Sequence, residues 1–247
     1  MNRYFVELAF NGKNYHGWQI QPNAITVQQT IEDALSTLLQ EKIMVTGAGR
    51  TDTGVHASYF VAHFDSNREI KDKNLVFRLN RFLPHDIAIY NIYPVPSERH
   101  ARFDANSRTY QYKITRIKDP FYYDFAHYLF GPLDIKKINK AASVLYDYSD
   151  YTSFSKLHTD VKTNNCVIKK AVFEEKDHLL IFTITADRFL RNMIRAIVGT
   201  LFEVGHNKLT MSDFRNIIES RDRSKAGPSA PAKGLYLTHV GYPFNFR

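Results

Sequence analysis

Hydrophobic periodicity along this chain switches repeatedly between two and about 3.6, and that restricts it to architectures mixing strands with amphipathic helices. Tyr4, Val6, Leu8 and Phe10 alternate with Phe5, Glu7 and Ala9, the pattern of a first strand. TVQQTIEDALSTLLQ (26–40) then places Val27, Ile31, Ala34, Leu35, Leu38 and Leu39 on one helical stripe, and Thr26 with Gln29 forms a capping box. A short strand is expected at 43–46, a second alternating strand at 58–65, and a helix over 74–83 stopped by Pro84. Strands follow at 87–93 and 108–116. The second half repeats the plan loosely, with a helix at 135–145, strands at 167–173 and 179–185, and a long helix over 189–204. Gly205 takes the position of a helix C-terminal glycine, and a helix at 212–220 precedes the last strand, GLYLTHV (234–240). Each half thus reads β-α-β-β-α-β, a mixed α/β fold with mostly antiparallel strands. The expected halves are 1–117 and 133–247, connected by the aromatic segment KDPFYYDFAHYLFGP (118–132).

A chain of 247 residues, 44% hydrophobic, can build a large core as one long domain or two smaller ones. Its 33 basic against 25 acidic side chains leave a net charge of +8, which favours an anionic partner, nucleic acid being the commonest. Cys166 is the single cysteine, so an internal disulfide is excluded and a reducing compartment is expected; it reads as a small buried residue. MNRYFVELAF begins as a strand, not as a secretory leader, and no apolar run approaches a membrane span. A soluble, cytoplasmic protein is the expectation.

Three stretches carry residues suited to chemistry. In GAGRTDTGVHA (47–57), a strand delivers Asp52 into a loop whose glycines let the backbone approach a ligand. A nearby cation such as Arg50 favours the charged carboxylate. Such a group can act as nucleophile, general base or metal ligand, or merely cap a turn. His56 and His63 lack partners at metal-ligand spacing, so no metal is expected. In ARFDANSRTYQYKI (101–114), Tyr110, Tyr112 and Ile114 share a strand face below Arg102 and Arg108, an arrangement that suits RNA and equally suits ordinary packing. In RFLRNMIRAIVGTLFEVG (188–205), Leu190, Met193, Ile194, Ile197 and Leu201 make a buried side, opposite Arg188, Arg191, Asn192 and Arg195.

Together GRTDTGVHA, HARFDANSRTYQYKI and FLRNMIRAIVGTLFEVG resemble the signature regions of the TruA family of tRNA pseudouridine synthases. Further matches are YHGWQIQPNAITVQQTIEDAL, LNRFLPHDIAI, DYTSF and AGPSAPAKGLYL, so the similarity runs from about Phe5 to about Tyr242. Ser229 stands where the family more often has threonine. The resemblance implies two ferredoxin-like (RRM-like) halves with joined sheets and a central cleft. The implied reaction turns uridine into pseudouridine in the anticodon stem-loop of tRNA, without metal or organic cofactor. It also implies roles: Asp52 as the catalytic aspartate, Arg195 as its guanidinium partner and Arg50 as the side chain filling the space left by the everted base. Tyr110 would stack on the uracil, and Leu235 would pack in the pocket. Everting the base costs a few kcal/mol. Family members are homodimers. Two rivals remain on residues alone: a non-catalytic RNA-binding protein, and a glycoside hydrolase, which usually needs two carboxylates where this loop offers one.

Overall fold

In the computed structural model, which describes residues 1–70, 74–156 and 163–247, the first half runs β1 (Asn2–Phe10), α1 (Val27–Leu39), β2 (Val45–Gly47), β3 (His56–Ser66), α2 (Leu75–Phe82) and β4 (Ile87–Val95). There follow β5 (Ser107–Thr115), β6 (His127–Tyr128), α3 (Ile135–Ser143), β7 (Ile168–Lys176), β8 (Leu179–Ala186), α4 (Met193–Gly205), α5 (Met211–Glu219) and β9 (Leu235–Gly241). The fold is mixed α/β with mostly antiparallel pairing, as the periodicity requires. Each expected element exists. The two-residue strand β6, inside the expected connector, has no periodic signal to announce it.

Two compact units result, Met1–Asn106 with Tyr236–Arg247, and Ser107–Leu235. They cut the chain differently from the spans 1–117 and 133–247. β5 belongs to the second unit because it pairs antiparallel with β8 from Arg108↔Ala186 to Thr115↔Leu179. The last strand returns to the first unit, where Tyr236 and Leu237 pair in parallel with His56 and Ala57. The segment 118–132 lies wholly within the second unit.

In the first unit β1 sits between β3 and β4, antiparallel to both, and β2 pairs with β3. Val27, Ile31, Ala34, Leu35 and Leu39 bury the stripe of α1, while Leu38 is only half-buried. Thr26 caps the helix by accepting the Gln29 N–H at 3.4 Å. The opposite face of β1 is covered too. Phe5 is enclosed by Tyr242 and Phe246 (ring centroids 5.5 and 5.1 Å away). Glu7, only 4% exposed, accepts from the Tyr59 hydroxyl at 2.6 Å, from Asn91 Nδ2 at 3.3 Å and from Arg247 Nε at 2.8 Å. A buried carboxylate needs such donors. Alternation alone would leave Glu7 solvated, because its donors lie far from it in the chain, Arg247 at the other end.

His63 shares this covered face, 6% exposed, and its Nδ1 accepts the Ala101 N–H at 3.1 Å. Burial first, then the charges of His100 and Arg3, lowers its pKa from 6.5 to about 4. The folded pKa lies below the unfolded value, so as pH falls the unfolded chain takes up the proton first and stability drops between pH 6.5 and 4. From pH 6.5 to 5 the expected loss is on the order of 1–2 kcal/mol. Urea unfolding of wild type and His63→Gln, whose amide oxygen can accept the same N–H, should show a flatter profile for the variant. Identical slopes would remove His63 as the cause.

In the second unit β8 lies between β5 and β7, antiparallel to both. α4 begins at Met193, four residues after the expected start. Asn192 has φ +65°, a left-handed conformation through which a helix does not run. Arg188, Arg191 and Asn192 therefore form no helical stripe with Arg195. Gly205 is not a left-handed cap either. The positive φ falls on Asn207 (+61°), and a Cβ on Gly205 would stand 2.5 Å from Leu133 Cδ1 and 2.6 Å from Ile138 Cγ2. Close packing onto α3 is what requires glycine there. Among the described residues no helix is long and apolar enough to cross a membrane.

Candidate active site

β2 and β3 form the two sides of the loop that carries Asp52. Gly47 passes over Trp18, whose ring stacks on Phe60 at 4.1 Å; a Cβ at Gly47 would lie 2.5 Å from the indole. Ala48 N then donates to Val61 O at 2.8 Å, and Val55 N closes a turn onto Asp52 O at 3.1 Å. Gly54, φ +76°, supplies the left-handed residue this turn uses. Gly49 faces open space, so only two of the three glycines are dictated by local geometry. Asp52 and Thr51 are half-buried and Arg50 is exposed. The Thr51 hydroxyl oxygen is buried without a hydrogen-bond partner among the described residues.

The segment 12–18 braces this loop from below, which sequence reading missed. Trp18 N donates to Thr51 O at 3.4 Å, Gly54 N to Tyr15 O at 3.2 Å, and Gly12 N to His56 Nδ1 at 3.1 Å. Gly17 (φ +84°) has no room for a side chain, since a Cβ would come within 2.2 Å of Thr51 O. His56 is fully buried and stacks on Tyr236 at 4.6 Å. Both His56 and His63 accept a backbone N–H through Nδ1, which gives each a role in packing. Among the described residues no cluster of three or more His, Cys, Asp or Glu could hold a metal ion.

The second unit carries the other candidates. Tyr110 lies on β5, 8% exposed, with its ring edge-on to Phe189 at 5.3 Å. Tyr112 and Ile114 are core residues, and the Tyr112 hydroxyl donates to Pro231 O at 2.9 Å. The expected tyrosine face is thus mostly packing. Arg102 is exposed in the first unit, whereas Arg108 Nη1 donates to Asp187 O at 2.9 Å in the second.

Arg195 stands in the first turn of α4, half-buried, clasped by the segment 226–231. Its Nε donates to Ala230 O at 2.7 Å, and its carbonyl accepts Ala230 N at 2.9 Å. The clasp is tight. A Cβ on Gly199 would lie 1.7 Å from Pro228 O, and Gly227 N donates to Thr200 Oγ1 at 2.9 Å. Ser229 Oγ accepts from Asn192 Nδ2 at 2.6 Å and Arg223 Nη2 at 3.0 Å, a service that threonine would also perform. Leu235 is buried at the start of β9, next to Gly234, where a Cβ would strike the Tyr112 ring at 2.8 Å. Arg50 and Asp52 therefore share one loop of the first unit, while Tyr110, Arg195 and Leu235 belong to the second.

A family model described as tRNA pseudouridine synthase matches residues 8–104 and 142–243, which contain Asp52, Arg195 and Leu235 and leave Tyr110 between the two matched stretches. The chain is 57% identical over 246 residues to tRNA pseudouridine synthase A of Parabacteroides distasonis, covering 98% of this chain and 97% of that protein. It is 55% identical to the Bacteroides fragilis enzyme of that name (98% and 97% covered) and 55% to the Porphyromonas gingivalis one (98% and 98%). The chain belongs to the tRNA pseudouridine synthase A family, the family its signature regions resemble. It is an isomerase, a pseudouridine synthase.

Proposed function

We propose that this isomerase converts uridines of the tRNA anticodon stem-loop to pseudouridine, with Asp52 as the catalytic group. The observation that carries the reading is the bracing of the Asp52 loop by backbone bonds to residues on both sides of it, Thr51 and Gly54. Fixed positioning of a reacting group contributes directly to rate. In the reaction the C1′–N1 bond breaks and a C1′–C5 bond forms. The C5 proton goes to solvent and N1 gains one, so composition is unchanged and no redox partner is needed.

Arg50, exposed two residues from Asp52, is suited to enter the base stack as the uridine leaves it. Tyr110 supplies the ring that stacks on the uracil, and Leu235 an apolar wall. Arg195 supports the ionised carboxylate, the role the family resemblance assigns to it. The net charge of +8 serves tRNA phosphates, so binding weakens as salt rises. The order of β4, β1, β3 and β2 in the first unit supports reading it as a ferredoxin-like half. A homodimer belongs to the same reading; a single-chain mass by light scattering at assay concentration would remove that part.

Product analysis tests the function. An unmodified tRNA transcript incubated with the protein should keep its mass while digestion shows uridine replaced one for one by pseudouridine. Free uracil and abasic RNA would indicate hydrolysis, and unchanged nucleosides would mean binding alone.

A further inference from the structure

We infer that Asp86 and Tyr15 are positioning residues for the Asp52 loop, forming a tie that runs from the start of β4 to the turn around the aspartate. This inference rests on the proposed role of Asp52. Asp86 precedes β4 in LPHDIAI and is bound entirely to the segment 11–15. Its Oδ1 accepts the Tyr15 hydroxyl at 2.5 Å, its Oδ2 accepts Asn14 Nδ2 at 3.2 Å, and its carbonyl accepts Asn11 N at 2.8 Å. Bonds to an ionised carboxylate are stronger than neutral ones. Tyr15 is buried. Burial first, then the bond to Asp86, raises its hydroxyl pKa, so it remains a proton donor throughout the working range.

Beyond Tyr15 the tie continues through backbone. The Tyr15 carbonyl receives Gly54 N, and the flanking residues meet the loop at His56 (from Gly12) and Thr51 (from Trp18). Gly12 leaves no slack, because a Cβ would lie 2.0 Å from Val55 O. Segment 12–18 therefore grips the loop on both sides of Asp52, and Asp86 fixes where that segment sits. Removing the Tyr15–Asp86 bond lets the segment shift, and the aspartate with it. Misplacing a reacting group by about 1 Å costs up to about 100-fold in rate.

Steady-state kinetics on tRNA, well below each variant's melting temperature, test the tie. Tyr15→Phe and Asp86→Ala should each lower kcat about 10-fold, with KM and tRNA affinity within about 2-fold. The double variant should be no slower than the slower single one, because both changes cut the same tie. Asp86→Asn, which keeps an acceptor for the hydroxyl, should recover part of the rate. A residue that only stabilises the fold would lower the melting temperature and leave kcat unchanged. Asp52→Asn run alongside separates the two ideas. If it turns over, the role of Asp52 itself is lost. If it is inactive while Tyr15→Phe and Asp86→Ala keep wild-type kcat, or their effects multiply, the positioning inference is overturned.

Discussion

Asp52→Asn is expected to lower turnover by about a thousandfold or more while tRNA affinity stays within about 3-fold. The exchange keeps the volume and hydrogen-bonding reach of the side chain and removes its charge. The loop is held through the backbone of Thr51, Asp52 and Gly54, through the His56 ring, and by the close approach of Gly12 and Gly17, so the variant should fold and place its amide where the carboxylate was. Phosphate contacts generally dominate the affinity of proteins for nucleic acid, and losing one negative charge should not weaken such contacts. Filter binding and single-turnover kinetics check both halves. Turnover within about 10-fold of wild type would show that the charge is not what the reaction uses.

Arg195→Ala has the second largest expected effect, a loss on the order of a hundredfold in kcat/KM. The guanidinium carries a fixed charge and planar geometry, and α4 and the segment 226–231 hold it through Nε and the reciprocal Ala230 bond. The variant leaves Ala230 O without its side-chain donor, a cost of about 1–3 kcal/mol, so a lower melting temperature should accompany the loss of rate. Arg195→Lys keeps the charge but not the fork and should fall between the two. The decisive comparison is non-additivity. If Arg195 acts through the aspartate, Asp52→Asn with Arg195→Ala should be no slower than Asp52→Asn alone. Fully multiplicative losses would mean that Arg195 serves another step.

Where burial and local periodicity coincide, the sequence is legible: α1, β1, β3, β5 and β8 lie where their patterns put them. Where a single dihedral or a distant neighbour decides, it is not. Leu190, Met193 and Ile194 are all buried, as a helix from 189 would require, yet the left-handed Asn192 postpones α4. Glu7 occupies a position that alternation marks as polar, yet it is buried among partners far away in the chain, Tyr59, Asn91 and, across 240 residues, Arg247. The candidate site divides in the same way. Asp52 stands out because an acid among glycines is unusual. Its bracing by Tyr15, Gly17 and Asp86 is hidden, since the Tyr15–Asp86 bond spans 71 residues and each partner looks ordinary in its own stretch.

Release of tritium from a tRNA transcript labelled at uracil C5 follows the bond exchange itself and is the most direct check on the whole account. Wild-type protein should release label in proportion to the uridines converted, leave the RNA chain intact and liberate no uracil, while Asp52→Asn under single-turnover conditions should release none. Label retained by wild type, or released equally well by the variant, would contradict it.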